Sequence, residues 1–256
     1  MEDAHDLPPP IPAATLVLMR EPHGGGPPEI LMMERAETMA FAAGALVFPG
    51  GRIDADDEEI ARRHYRSFED GAARIAAIRE TIEETGIAPA ANPDPAPQVV
   101  AELRDALSGG TPFSHLLDLT GIALRLDALT PFARWCPNFR EARRFDTLFY
   151  LAEAPHEVEH LSADETESTR TFWSTASATL AEIEAGRAQA IFPTRRNLER
   201  LARFASIDEA RADAAAHPVT KITPWVEERD GRRFVCIPEG LGYPVTAEPY
   251  ESARRR

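Results

Sequence analysis

Residues 79–87 read Arg-Glu-Thr-Ile-Glu-Glu-Thr-Gly-Ile, and they hold the densest concentration of potential chemistry in the chain. On a helix turning about 100° per residue, Glu80, Glu83 and Glu84 fall within an arc of roughly 100°. Ile75, Ile78 and Ile82 gather on nearly the opposite face. The spacing predicts a helix over about 71–85 that buries its isoleucines and carries three acids on its other side. Carboxylates at i, i+3 and i+4 repel one another. A hard divalent cation such as Mg²⁺ or Mn²⁺, which prefers oxygen ligands, would turn that repulsion into a binding site. The competing reading is a solvated acidic surface. Asp70 stands where an N-cap belongs and Gly86 where a left-handed stop belongs, with Ile82 and Ile87 placed for the contact of a Schellman cap. Ala76 and Ala77, on the acidic side, leave room for another backbone segment to approach.

Upstream, residues 46–57 read Leu-Val-Phe-Pro-Gly-Gly-Arg-Ile-Asp-Ala-Asp-Asp, a short apolar strand entering a Gly-Gly turn and then an acidic loop. Paired glycines allow close backbone approach. Strand, Gly-Gly loop and acid-bearing helix together resemble the Nudix box: a glycine, five residues, an acid, seven residues, then Arg-Glu-x-x-Glu-Glu-x-Gly and an aliphatic residue. Gly51 matches the leading glycine and Asp57 stands at the first acid. Arg79, Glu80, Glu83, Glu84, Gly86 and Ile87 match the rest, with Thr81 at a usually aliphatic position. Gly51 and Arg79 are 28 positions apart, twice the spacing of the pattern, so residues of about 58–70 read as an insertion inside the box. That leaves Glu58, Glu59 or Glu69 as alternatives to Asp57.

The resemblance extends towards the branch that includes the peroxisomal CoA diphosphatases. Arg35, the run from Phe41 to Gly51, Trp135 with Cys136-Pro137 in place of Thr-Pro, the run from Arg144 to Ala152, Glu167 six residues before Trp173, and Phe192-Pro-Thr-Arg are similar to that branch. It implies an α/β fold, a Nudix-type α/β/α sandwich with a mixed sheet, carrying helical and hairpin additions at about 178–245 within a single domain of about 10–250. It implies hydrolysis of a nucleoside diphosphate linked to another group, with CoA or acyl-CoA first and ADP-ribose, a dinucleotide or a nucleotide sugar open. Gly51, Glu80, Glu83 and Glu84 would hold Mg²⁺ or Mn²⁺. Arg79 would hold a neighbouring glutamate in place, Glu80 or Glu167 would be the general base or a further ligand, and Arg35 and Arg52 are candidates for substrate phosphate. A Nudix fold can also serve as a nucleotide-binding module without catalysis, a reading the intact acids oppose.

Composition agrees with an enzyme acting on a small molecule. The chain has 256 residues, 43% hydrophobic content and a formal charge of −14, with Lys221 its one lysine. A nucleic-acid surface needs clustered cations, so such a partner is not expected. No apolar run reaches membrane-spanning length. The acidic start, followed by Pro8–Pro10, is neither signal nor transit peptide, and the Arg-Arg-Arg end is not a peroxisomal address, so a cytoplasmic protein is expected. Cys136 and Cys236 lack metal-site spacing and read as reduced thiols. The oligomeric state stays open, a homodimer being one option. His156-Glu157-Val-Glu-His160 matches the zinc-peptidase pattern, but Pro155 before it and the turn-like Ser162-Ala-Asp after it leave too little helix, and a polar loop is favoured. Strands are expected at 13–20, 29–35, 129–135 and 145–152. Helices are expected at 98–107, 112–118, 177–186, 194–205 and 207–216, with a hairpin of 219–227 and 232–237 around Asp230-Gly231.

Overall fold

The computed structural model describes residues 9–36, 43–137, 144–155 and 168–253. Strands β1 (Ile11–Arg20) and β2 (Glu29–Arg35) come first, on either side of the Gly-rich turn. β1 is the axis of the sheet: β8 (Phe145–Glu153) runs parallel to it from Ile11 to Met19. On its other side it pairs with two different partners. At its end Met19 and Arg20 meet Ile30 and Glu29 of β2. At its start Ala13–Thr15 meet β4 (Gly50–Arg52). Between these pairings β1 and β2 part, and β3 (Leu46–Val47) runs along β2 into the fork. Phe48-Pro49 turns the chain at the apex, where Pro49 accepts from the amide of Leu16, and β4 returns along β1.

Helices α1 (Ala55–His64) and α2 (Gly71–Thr85) follow, then β5 (Ala91–Asn92), α3 (Pro97–Ser108), α4 (Phe113–Thr120), β6 (Ala123–Leu124) and β7 (Thr130–Trp135). After β8 come β9 (Ser168–Thr175), α5 (Ala176–Glu184), α6 (Phe192–Leu201), α7 (Ile207–Ala216), β10 (Lys221–Ile222), β11 (Trp225–Arg229), β12 (Arg232–Cys236), β13 (Ala247–Pro249) and α8 (Tyr250–Ala253). The main sheet is mixed, in the order β10-β7-β8-β1-β2-β3, with β4 beside β1 and β9 beside β2.

Strand alternation sorts the core into two layers. Ala14, Leu16, Leu18, Leu31, Tyr150 and Ala152 face α2 and its isoleucines. Val17, Met19, Ile30, Met32, Phe149 and Leu151 face the other way, against Leu198 and Leu201 of α6 and Ala210 of α7. Sheet between helical layers is the expected α/β/α sandwich. Among the described residues no helix is long and apolar enough to cross a membrane.

Several local expectations are revised. The acidic stretch after β4 is not a loop: Asp54 is the N-cap of α1, and Asp57 at the third helical position accepts from the Asp54 amide at 2.9 Å. The segment that lengthens the box is therefore a helix and its exit turn. The expected 219–227 strand is two strands, because Pro224 lacks an amide hydrogen and breaks the ladder. Lys221-Ile222 joins β7 in parallel, while Trp225–Arg229 pairs with β12 around Asp230-Gly231, both at positive φ as a type I′ turn requires. Helix α6 starts two residues early, with Pro193 in its first turn, and ends at Leu201. Strands β9 and β13 had no clear sequence pattern. Trp135 is buried in the layer opposite α2. Cys136 and Cys236 are buried free thiols.

Candidate active site

Helix α2 spans the expected residues, and almost all of it is buried. Ala76 and Ala77 are fully covered where β1 and β4 pass over the helix, so its acidic side is not a solvated face. Gly86 ends it at φ 68°, with its amide bonded to the Ile82 carbonyl at 2.9 Å. The Ile87 amide goes to the Thr85 hydroxyl, which makes the stop a simple left-handed cap rather than a Schellman motif. Asp70 occupies the N-cap position but does not cap. Its carboxylate takes Arg74 Nε at 2.7 Å and the Tyr150 hydroxyl at 3.0 Å, fixing α2 to β8.

The Gly-Gly loop lies directly on the acids. A Cβ at Gly51 would fall inside contact distance of the Glu80 carboxylate, and one at Gly50 would strike the backbone of Ala14 and Thr15. Only glycine admits this approach. The Gly50 amide donates to Glu84 Oε2 at 2.9 Å, and Glu84 is 4% exposed. Arg79, 7% exposed, organises the rest. Its Nε and Nη2 grip Asp57 Oδ1 and Oδ2 at 3.0 Å each, and Nη2 also donates to the Arg52 carbonyl. Its Nη1 donates to Glu80 Oε1 at 2.9 Å and stands 3.7 Å from Glu83 Oε2. A guanidinium satisfied on both edges is a rigid spacer between carboxylates.

Asp57 is completely buried, so it is not a solvated loop acid, and both of its oxygens accept from Arg79. Burial raises its carboxyl above the ordinary value, while the Arg79 fork and the Asp54 amide pull against that. Burial, then the charge of Glu83, lifts Glu80 to about 7 despite Arg79 beside it. The same acids raise the Arg79 guanidinium above its ordinary value against the effect of burial. A half-buried, mutually repelling carboxylate pair is an arrangement that a cation would relieve.

Helix α1 is braced on both sides. Asp56 accepts from the Ser114 amide at 2.9 Å and its hydroxyl at 2.6 Å, placing a negative charge at the start of α4. The Tyr65 hydroxyl, just past the helix, accepts from the Leu124 amide. The segment between the two halves of the box is thus packed structure that delivers Asp57 to Arg79. Sequence reasoning also missed Arg104 of α3, whose Nε holds the Glu83 carbonyl at 3.0 Å.

Gly51, Arg79, Glu80, Glu83 and Glu84 are therefore brought together. Arg52 is exposed beside them and lends its carbonyl, and Arg35 stands on the other arm of the fork. Glu167, His156 and His160 lie outside the described residues. Among the described residues no three His, Cys, Asp or Glu side chains converge as a ready cation cage. Arg79 stands between Glu80 and Glu83, and Glu84 is turned to Gly50. The donor set nonetheless fits Mg²⁺ or Mn²⁺ in kind, being all carboxylate and backbone oxygen.

No family model matches the chain. It is 27% identical over 254 residues to the acyl-coenzyme A diphosphatase NUDT19 of Gallus gallus, covering 77% of this chain and 67% of that protein. It is 30% identical over 130 residues to the putative nudix hydrolase 7 of Caenorhabditis elegans, covering 48% of this chain but only 38% of that one. The crystal structure of a NUDIX hydrolase from Alicyclobacillus acidocaldarius aligns with a TM-score of 0.69 and 30% identity, over 80% of this chain and 96% of that one. Fold and sequence are alike over nearly the whole of that solved relative, and the chain belongs to the Nudix hydrolases.

Proposed function

We propose that this hydrolase cleaves the diphosphate linkage of a nucleoside diphosphate joined to another moiety, with CoA or an acyl-CoA as first candidate. The observation that carries this reading is the close approach of Gly50-Gly51 to the Glu80 and Glu84 carboxylates, which concentrates hard oxygen ligands at a loop where only backbone stands in the way. The name of the Gallus gallus relative favours an acyl-CoA substrate. ADP-ribose, dinucleotides and nucleotide sugars share the scissile group.

Glu83 and Glu84, with Glu80 and the Gly51 backbone, would hold Mg²⁺ or Mn²⁺. Bound there, the ion would neutralise diphosphate charge and acidify a water. The chain's own residues do the rest. Arg79 fixes the separation of Glu80 and Glu83, and Asp57 fixes Arg79. Glu80 or Glu167 takes the proton of the attacking water. The glycine loop keeps side chains out of the approach to phosphorus.

Phosphate-coupled hydrolysis of CoA, acyl-CoA, ADP-ribose, NADH and diadenosine polyphosphates, with each metal, tests this. Turnover that requires metal and disappears in Glu83→Gln/Glu84→Gln is expected, and the best substrate names the reaction. Folded, metal-saturated protein that turns over none of them would leave a nucleotide-binding module instead. Glu80→Gln assigns the base: a near-complete loss of kcat with metal binding retained selects Glu80.

A further inference from the structure

Among the buried polar atoms without a hydrogen-bond partner in the described residues, three sit on one pair of neighbouring strands: Arg35 Nε on β2, and Thr171 Oγ1 and Trp173 Nε1 on β9. Native proteins rarely leave such atoms unpaired, because an unmet buried donor costs stability. These three are also neighbours. In the β2–β9 ladder Leu31 faces Trp173, Met33 faces Thr171 and Arg35 faces Ser168. Met32 and Phe172 belong to the opposite layer, and Leu31 and Trp173 pack with the isoleucines of α2. Alternation then puts Leu31, Met33, Thr171 and Trp173 on the face that carries the acidic helix, and Arg35 follows where the ladder shifts register after Glu34.

The stripe has direction. At about 3.3 Å per residue it runs roughly 13 Å from Arg35 to the level of Trp173. Arg35 lies at the open end of the β2–β3 arm, across the fork from Gly51 on the β1–β4 arm. At the far end the Arg20 guanidinium covers the Trp173 ring at 4.4 Å and is itself paired with Glu29. The floor between is apolar. A guanidinium Nε and an indole Nε1 can only donate, and a threonine hydroxyl can donate or accept. An apolar strip with a few aligned donors is the usual composition of a ligand cleft.

We infer that Arg35, Thr171 and Trp173 form the wall that receives the substrate beyond its scissile diphosphate, donating to acceptor oxygens there, whether phosphate or amide carbonyl. The wall sets specificity and touches no reacting atom. The inference rests on the diphosphatase reading and deepens it: the preferred substrate is an extended conjugate that spans the fork, not a bare diphosphate.

Thr171→Val and Arg35→Met remove the donors while keeping side-chain bulk, and each is assayed on CoA and ADP-ribose with Mg²⁺. KM is expected to rise about tenfold or more in each, with kcat within about twofold. Tm should be unchanged or higher, since the deleted groups are unpaired in the free protein. A merely structural role predicts the reverse pattern, a changed Tm and an unchanged KM, and that result overturns the inference. A larger KM effect on CoA than on ADP-ribose places amide carbonyls on the wall, and an equal effect places phosphate there. Calorimetric titration of both compounds without metal separates this from the reading beneath it. Binding weakened in the variants, with no wild-type turnover, keeps the wall and removes the diphosphatase. Turnover with unchanged KM and binding does the opposite. Absence of binding by either compound overturns the wall.

Discussion

Arg79 is the residue on which the site turns. Its fork is filled by Asp57, its remaining edge by Glu80, and only a planar guanidinium can serve both. Arg79→Lys should therefore lower kcat/KM by about 10- to 100-fold, the usual cost of losing a group that orients ligands. Gly51→Ala should push the Glu80 carboxylate aside. A displacement near 1 Å in such a constellation costs about 100-fold in turnover, and steady-state kinetics beside a thermal melt should show that loss with the fold intact. The three glutamates were legible because helical periodicity is a local property, whereas Arg79 was legible only through the resemblance. Asp57 was half legible: its place in the pattern was visible, but its burial depends on a helix whose existence the altered spacing concealed. The Gly50 amide and Arg104 gave no signal, since their roles are contacts to groups 34 and 21 positions away.

The elements divide by how much of their definition is internal. Helix α2 and strand β2 carry clear patterns and lie where periodicity puts them. Helix α1 has a run of charge, a capping aspartate and the single buried apolar Ile60 to announce it, and strand β9 exists because β2 offers it an edge. α1 is held from outside, by Asp56 on α4 and Asp57 on Arg79. Asp56→Ala should cost about 1 kcal/mol, as loss of a helix-capping acceptor does, measured by urea unfolding. Asp57→Ala should cost more, about 3–5 kcal/mol, because it leaves a buried guanidinium without its main partner. If both variants unfold alike, the asymmetry between the two braces is wrong.

Across the whole molecule the C-terminal elements are part of the second core layer. Val235, Ile237 and Tyr243 are buried with Trp135, and the Tyr243 hydroxyl both donates to Asn197 at 2.8 Å and receives the Trp135 indole at 3.0 Å. Tyr243→Phe should lose about 1–3 kcal/mol, the cost of leaving buried partners unmet. A chain ending at Pro218 should melt without cooperativity in calorimetry, since it strips the cover from β7. That dependence was not readable from the tail itself, whose short strands acquire meaning only against a sheet formed far upstream. The helix inside the box has a different consequence, in chain entropy. The Asp57–Arg79 fork closes a loop of 22 positions, where the family pattern would close one of eight. Loop-closure entropy grows only with the logarithm of length, so the longer circuit costs about 1 kcal/mol more, and the bonds made by α1 can offset that. The reaction centre is indifferent to how much chain lies between its two halves provided their meeting point is fixed. The exposed turn after α1 is accordingly the place where this protein should accept inserted sequence without loss of turnover.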